Sequence, residues 1–160
     1  MPTAAELEAK LWSAIRSDMT MMLGLAGKDD GHTRPMTAIL EGEDRGPIWF
    51  FTSTENEIVT ANGGRAVAAF VSKGHDLFAT IHGTVVVDTD PAVVDRLWNS
   101  HIAAWFDGKN DPKLRVLRLD PEGAQIWENA SSIVAGIKAL FGGSDPKEDY
   151  KDKVASVPLR

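Results

Sequence analysis

Between residues 19 and 88 the chain is divided into short apolar runs, most of them the length of a single strand, by stretches of glycine, aspartate, lysine and asparagine. Runs this short favour strands over core helices, and connections this tight join neighbours that lie antiparallel. The spacing predicts strands at 19–26, 34–41, 47–52, 66–72 and 77–88, with turns at 27–31, 42–46 and 73–76. A meander of this kind leaves edges open unless it curls on itself. The expected fold class is therefore mainly β with flanking helices (α+β), closed as an antiparallel β-barrel.

The flanking helices announce themselves by their ends. Thr3-Ala4-Ala5-Glu6 has the form of a capping box, and Leu7, Leu11 and Ile15 then repeat every fourth residue beside Trp12, giving one apolar face that needs a sheet to cover it. Glu55 to Val59 reads as a short helix stopped by Asn62-Gly63-Gly64. Asp90-Pro91 begins another, with Val94, Leu97 and Trp98 on its apolar side. After a loop at 105–112, residues 113–119 read as a strand. Asp120-Pro121-Glu122-Gly123 reads as a type I turn, with 124–127 returning as the hairpin partner. A last helix is expected at 132–141. The expected organisation is one domain over residues 1–141, with a charged tail at 142–160 extended on or near it.

Composition excludes several classes. At 160 residues, folding buries about 70% of the unfolded surface, so no cofactor is needed merely to hold the chain together. A net charge of -6 argues against nucleic acid or an anionic membrane as partner. With no cysteine there are no disulfides, thiolate metal sites or cysteine nucleophiles. Nothing resembles a leader or a membrane span, so the expected location is cytoplasmic. His32, His75, His82 and His101 fall on separate segments, which argues against zinc, and no Walker-type glycine loop is present.

The candidate site lies where Ile48-Trp49-Phe50-Phe51 gives way to Thr52-Ser53-Thr54. Aromatic surface followed by three hydroxyls and a helix start would seat a planar ring with an anionic tail such as a phosphate. Arg34 would reach the same spot if its strand pairs with this one across the turn near residues 41–46. Each feature has a plainer account when taken alone. Buried strands routinely carry aromatics, most arginines are surface or ion-paired groups, and Thr52 to Thr54 are suited to capping a helix. Their joint order is what favours a ligand.

That order carries a resemblance. The Arg-Pro-Met-Thr strand, the Trp-Phe-Phe-Thr-Ser strand end, the short helix, the long strand with His-Gly, the capped helix, the Trp-Phe-x-Gly-x-x-Asp-Pro loop and the Ile-Trp strand together resemble the pyridoxamine 5'-phosphate oxidase-like split barrels, and within them the general stress protein subfamily. The likeness runs over about residues 4–128. It implies a six-stranded Greek-key split barrel, a homodimer, and FMN held in two symmetric clefts between subunits. It assigns Arg34 to the phosphate, Pro35, Met36 and Thr37 to the flavin edge, and Phe50, Phe51, Thr52 and Ser53 to ring, ribityl chain and phosphate. Asn56 and Glu57 fall at the start of the phosphate-binding helix. Thr80, and Trp105 or Trp127 from the partner subunit, complete the set; both tryptophans would serve equally well as dimer contacts.

One departure stands out. Where the relatives commonly carry a lysine or arginine, this chain reads Thr54-Glu55-Asn56-Glu57. At about 5 Å and an effective dielectric of about 20, like unit charges repel by roughly 3 kcal/mol. A micromolar complex is held by only about 8 kcal/mol. Glu57 must therefore turn to solvent, be offset by Arg65, Lys73 or another cation, or select a ligand other than FMN. Two functions are expected on these grounds: an FMN-dependent oxidoreductase using a small-molecule reductant or substrate, or a non-catalytic stress-response or sensor module. The module would bind FMN, FAD, a deazaflavin or, through His82, haem, or would have lost its cofactor.

Overall fold

A computed structural model describes residues 2–28, 32–43, 45–129 and 154–160. Helix α1, Ala4–Asp18, opens with the Thr3 hydroxyl accepting from the Glu6 backbone N–H at 3.1 Å. It buries Leu7, Leu11, Trp12 and Ile15, the stripe that its sequence spacing sets out. Met19 ends it in the left-handed conformation, donating its N–H to the Ile15 carbonyl. Glu8 is tied on the same face, accepting from Trp12 Nε1 and from the Arg45 guanidinium, and Arg45 holds its carboxyl below the ordinary carboxylate range.

The sheet is entirely antiparallel. Its strands are β1 (Thr20–Leu25), β2 (Arg34–Thr37), β3 (Ile48–Ser53), β4 (Gly64–Val71), β5 (Leu77–Val87), β6 (Leu114–Glu128) and β7 (Val154–Pro158). Six of them run in the order β2-β1-β4-β5-β6-β3, and β7 pairs with β6 off that path. Among the described residues no ladder joins the two ends of the path, β2 and β3; an isolated bridge pairs Ile39, just beyond β2, with Trp49. The result is a split barrel, mainly β with flanking helices, with a seventh strand beyond the six expected. Arg34 accordingly pairs with Leu23 of β1 and not with β3.

The expected hairpin at 120–123 is absent. One fifteen-residue strand, β6, runs through it, giving residues 114–119 to β3 and 123–127 to β7. Pro121 is tolerated because it lies between those two partners and opposite Gly83, at a bulge where Glu122 is the extra residue. Gly83 is required there: a Cβ would lie 2.1 Å from the Asp120 carbonyl oxygen. The helix expected at 132–141 and the tail over 142–153 lie outside the described residues. Val154–Pro158 of that tail is strand β7.

Side-chain alternation divides β3 between two cores. Ile48 and Phe50 point inward and are fully buried with α1, Leu117 and Leu119. Trp49 points outward, into a smaller cluster made by Val93, Val94 and Leu97 of α3, Pro91–Leu97, with Phe51 packed against it. Each buried aliphatic or aromatic side chain contributes about 1.5–3 kcal/mol, and cutting Phe50 to alanine would cost about 3–5 kcal/mol through the cavity left behind. This division decides which β3 residues remain available at its open end. Among the described residues no helix is long and apolar enough to cross a membrane.

Candidate functional site

A cleft of about 410 Å3 opens at the split between β2 and β3. One wall is Pro35, Met36 and Thr37 of β2 with Ile39, and the floor is Phe51, Thr52 and Ser53 at the end of β3. The far wall is His101 and Ile102 of α4, Ser100–Ala103, and the following Trp105 and Phe106. That volume falls in the range of small-molecule sites, roughly 300–1,000 Å3.

The apolar part is held from behind. The Phe51 ring meets Trp98 edge-on, 6.4 Å between centroids at 71°. Asn99 caps α4 by accepting from the Ile102 N–H at 2.9 Å. The loop beyond is pinned by Asp111, whose carboxylate accepts from the backbone N–H groups of Asp107 and Lys113, both at 2.9 Å. Those two donors hold the Asp111 carboxyl below the ordinary carboxylate value. Trp105, 83% exposed, stands on the rim of this anchored loop.

The polar part is a chain of hydrogen bonds. The Asn56 amide donates to Thr52 Oγ1 at 3.1 Å and touches Met36 Sδ at 3.6 Å, while its oxygen accepts from the Ile58 N–H and so caps α2, Glu57–Thr60. Asn56, not Thr52 to Thr54, is the cap. Helix α2, Glu57–Thr60, is a single turn, so the threonine and serine hydroxyls and nearby side chains carry the polar character here, with little from a helix dipole. Ser53 Oγ accepts from the Glu55 N–H at 3.3 Å.

Charge enters through Arg34. Its side chain is only 15% exposed, and Nη2 donates to Glu57 Oε2 at 3.4 Å, with the Glu57 side chain 61% exposed. The glutamate thus faces solvent and the arginine together. Arg65 and Lys73 do not supply compensating charge: Arg65 is bound to Glu122, and Lys73 sits on the distant β4–β5 turn, where its backbone N–H donates to Asp18. Lys113 lies 3.6 Å from Glu55.

Of the residues marked in the sequence, Pro35, Met36, Thr37, Phe51, Thr52, Ser53 and Trp105 line one cleft, with Arg34, Asn56 and Glu57 linked beside it. Trp105 lines the cleft of its own chain, whereas the resemblance places it in the partner's. Phe50 points away into the core. Thr80 and Trp127 lie elsewhere on this chain. Thr80 opens on a separate groove with His82, Gln125 and Ser156, and Trp127 pairs with Phe78. Ile39, His101, Ile102 and Phe106 were not marked. The only signal for the α4 wall was Asn99 ahead of an apolar Ile102, a weak capping cue. Among the described residues no three His, Asp or Glu side chains converge to hold a metal.

Comparison with known proteins gives a consistent set of relatives. The family model described as pyridoxamine 5'-phosphate oxidase like matches residues 6–145. A 51-residue stretch, 32% of this chain, is 31% identical to general stress protein 26 of Bacillus subtilis (strain 168), and spans 36%, about a third, of that relative's length. A general stress family protein from Xanthomonas campestris pv. campestris is 58% identical, with TM-score 0.77 over 82% of this chain and 93% of that one. The general stress FMN/FAD binding protein from Xanthomonas citri is also 58% identical, with TM-score 0.76 over 80% and 92%. A general stress protein 26 from Jannaschia sp. CCS1, 24% identical, shares the fold with TM-score 0.78 over 98% and 99%.

Proposed function

The chain belongs to the pyridoxamine 5'-phosphate oxidase-like family, and from that premise we propose that its β2–β3 cleft binds a flavin, FMN in the first instance, within a homodimer that acts as an oxidoreductase. The observation that carries this reading is the meeting, in one cleft, of an apolar slot and a polar end. Met36, Ile39, Phe51, Trp105 and Phe106 offer flat or flexible apolar surface, and Thr52 and Ser53, with Arg34 beside the cleft, offer donors suited to a phosphate. The relative described as FMN/FAD binding supports the ligand class.

A bound flavin supplies two-electron redox chemistry of its own, so the protein's task is to place the ring, hold the tail and limit water. In this reading Arg34 orients the phosphate with its fork of donors, and the Thr52 and Ser53 hydroxyls complete the shell. The side chain of Phe51, braced by Trp98, sets the plane of the slot. A second copy of the chain would cover the outer face of β4, β5 and β6, where Val71 is 48% exposed beside half-buried Phe78 and Trp127. A second reading, a flavin-binding module without turnover, draws on the contact of Glu57 with Arg34, which weakens the grip on a phosphate.

The two separate in one experiment. Protein loaded with FMN is mixed anaerobically with NADH or NADPH, and the visible band is followed while light scattering gives the mass. Bleaching of a dimer is the expected outcome for the oxidoreductase. A yellow protein that neither donor bleaches favours the module.

A further inference from the structure

We infer that Glu57 is a specificity-determining residue: its carboxylate, seated on Arg34, lowers the preference of the cleft for a phosphate-bearing flavin over an uncharged one. This rests on the flavin reading above.

Charge at the polar end decides the preference. Arg34, largely buried, is met by Glu57, and Lys113 is met by Glu55, so each cation named there already faces a carboxylate. The remaining donors, Thr52 and Ser53, are neutral. A phosphate monoester such as that of FMN brings about -1.5 to -2 at neutral pH. The diphosphate of FAD carries a comparable total charge, and riboflavin brings none.

To use Arg34, any such group must share it with Glu57 or displace it. Asn56 caps α2 and fixes the Glu57 backbone beside β2, so the carboxylate swings toward solvent but does not leave the neighbourhood. Its repulsion scales with ligand charge. The penalty therefore falls on the two phosphorylated flavins, FMN and FAD, and not on the uncharged one. The pair is also long, at 3.4 Å, and half open to water, which makes it displaceable.

The test compares wild type with Glu57→Gln by calorimetric titration with FMN, FAD and riboflavin at low ionic strength, a thermal melt showing that the variant folds. The substitution is expected to tighten FMN and FAD each about tenfold, to leave riboflavin within about twofold, and to lose most of the FMN gain in high salt. An equal shift for all three ligands, or no gain for FMN, overturns the inference while leaving flavin binding in place. Failure of both proteins to bind any of the three overturns the flavin reading and this inference with it.

Discussion

The groove along α1 and the cleft at the β2–β3 split are both large enough for a small molecule, about 640 and 410 Å3, but they differ in what they present. The groove is walled by short side chains such as Ala9, Ser13 and Ser17, and several of its polar groups are already engaged. Lys10 holds Glu128 at 2.6 Å, the Ser72 hydroxyl meets Asp76, and Asp18 accepts from the Lys73 N–H at 2.7 Å. The smaller cleft offers ring-sized apolar surface and two hydroxyls at one end, with Arg34 beside it in a long, displaceable contact with Glu57. Volume alone would choose the groove. An apolar wall converging on a polar end is what recognition needs, and only the cleft has it.

The sharpest way to break that contrast is to remove one cation from each region. Arg34→Ala should weaken FMN about a hundredfold, since charge-assisted hydrogen bonds contribute about 1.5–3 kcal/mol each. Lys10→Ala should leave FMN affinity unchanged; equal losses in the two variants would erase the distinction. Next in size, Trp105→Ala should weaken FMN by about fivefold to tenfold while folding stability, read by urea unfolding, stays within about 0.5 kcal/mol, because the ring is exposed. A large stability loss would make Trp105 a structural residue instead.

Asp111→Asn should have a smaller effect, about threefold on affinity, by loosening the loop that carries Trp105 and Phe106. The Asp111 carboxyl is held low by two backbone donors, so its ordering of the loop is complete above the ordinary carboxylate range and is lost as pH falls through the lowered native value. Protection of the Asp107 and Lys113 amides against exchange, relative to the free-chain rate at each pH, should thus hold through the ordinary carboxylate range and fall only below it. Acceleration already at neutral pH would contradict that role. Smallest of all, Lys10→Ala should change stability by less than about 1 kcal/mol, as exposed ion pairs do.

Much of this arrangement was legible before folding because it is written locally. Strands closed by glycine and aspartate, the Thr3 and Asp90 caps, and the Gly63 stop, whose positive φ places its N–H on the Ile58 carbonyl, all depend on near neighbours. What escaped depends on distant ones. Asp120 to Gly123 has the residues of a turn, yet β5 carries β6 straight through it, because Gly83 leaves room for the bulge and Pro121 falls in the gap between β3 and β7. The α4 wall of the cleft comes from residues about fifty positions beyond β3, brought there by α3 packing on Trp49. Phe50 and Phe51 look alike in sequence, and only the direction of the pleat assigns one to the core and the other to the cleft.

The most direct test of the central claim is the visible spectrum of wild-type protein incubated with FMN and then passed through a desalting column. A flavin band that travels with the protein at about one per chain, and that is missing from the Arg34→Ala variant treated in parallel, is the result expected of a cleft built for a ring with a phosphate tail. A colourless wild-type protein, or a band that Arg34→Ala retains in full, would contradict it.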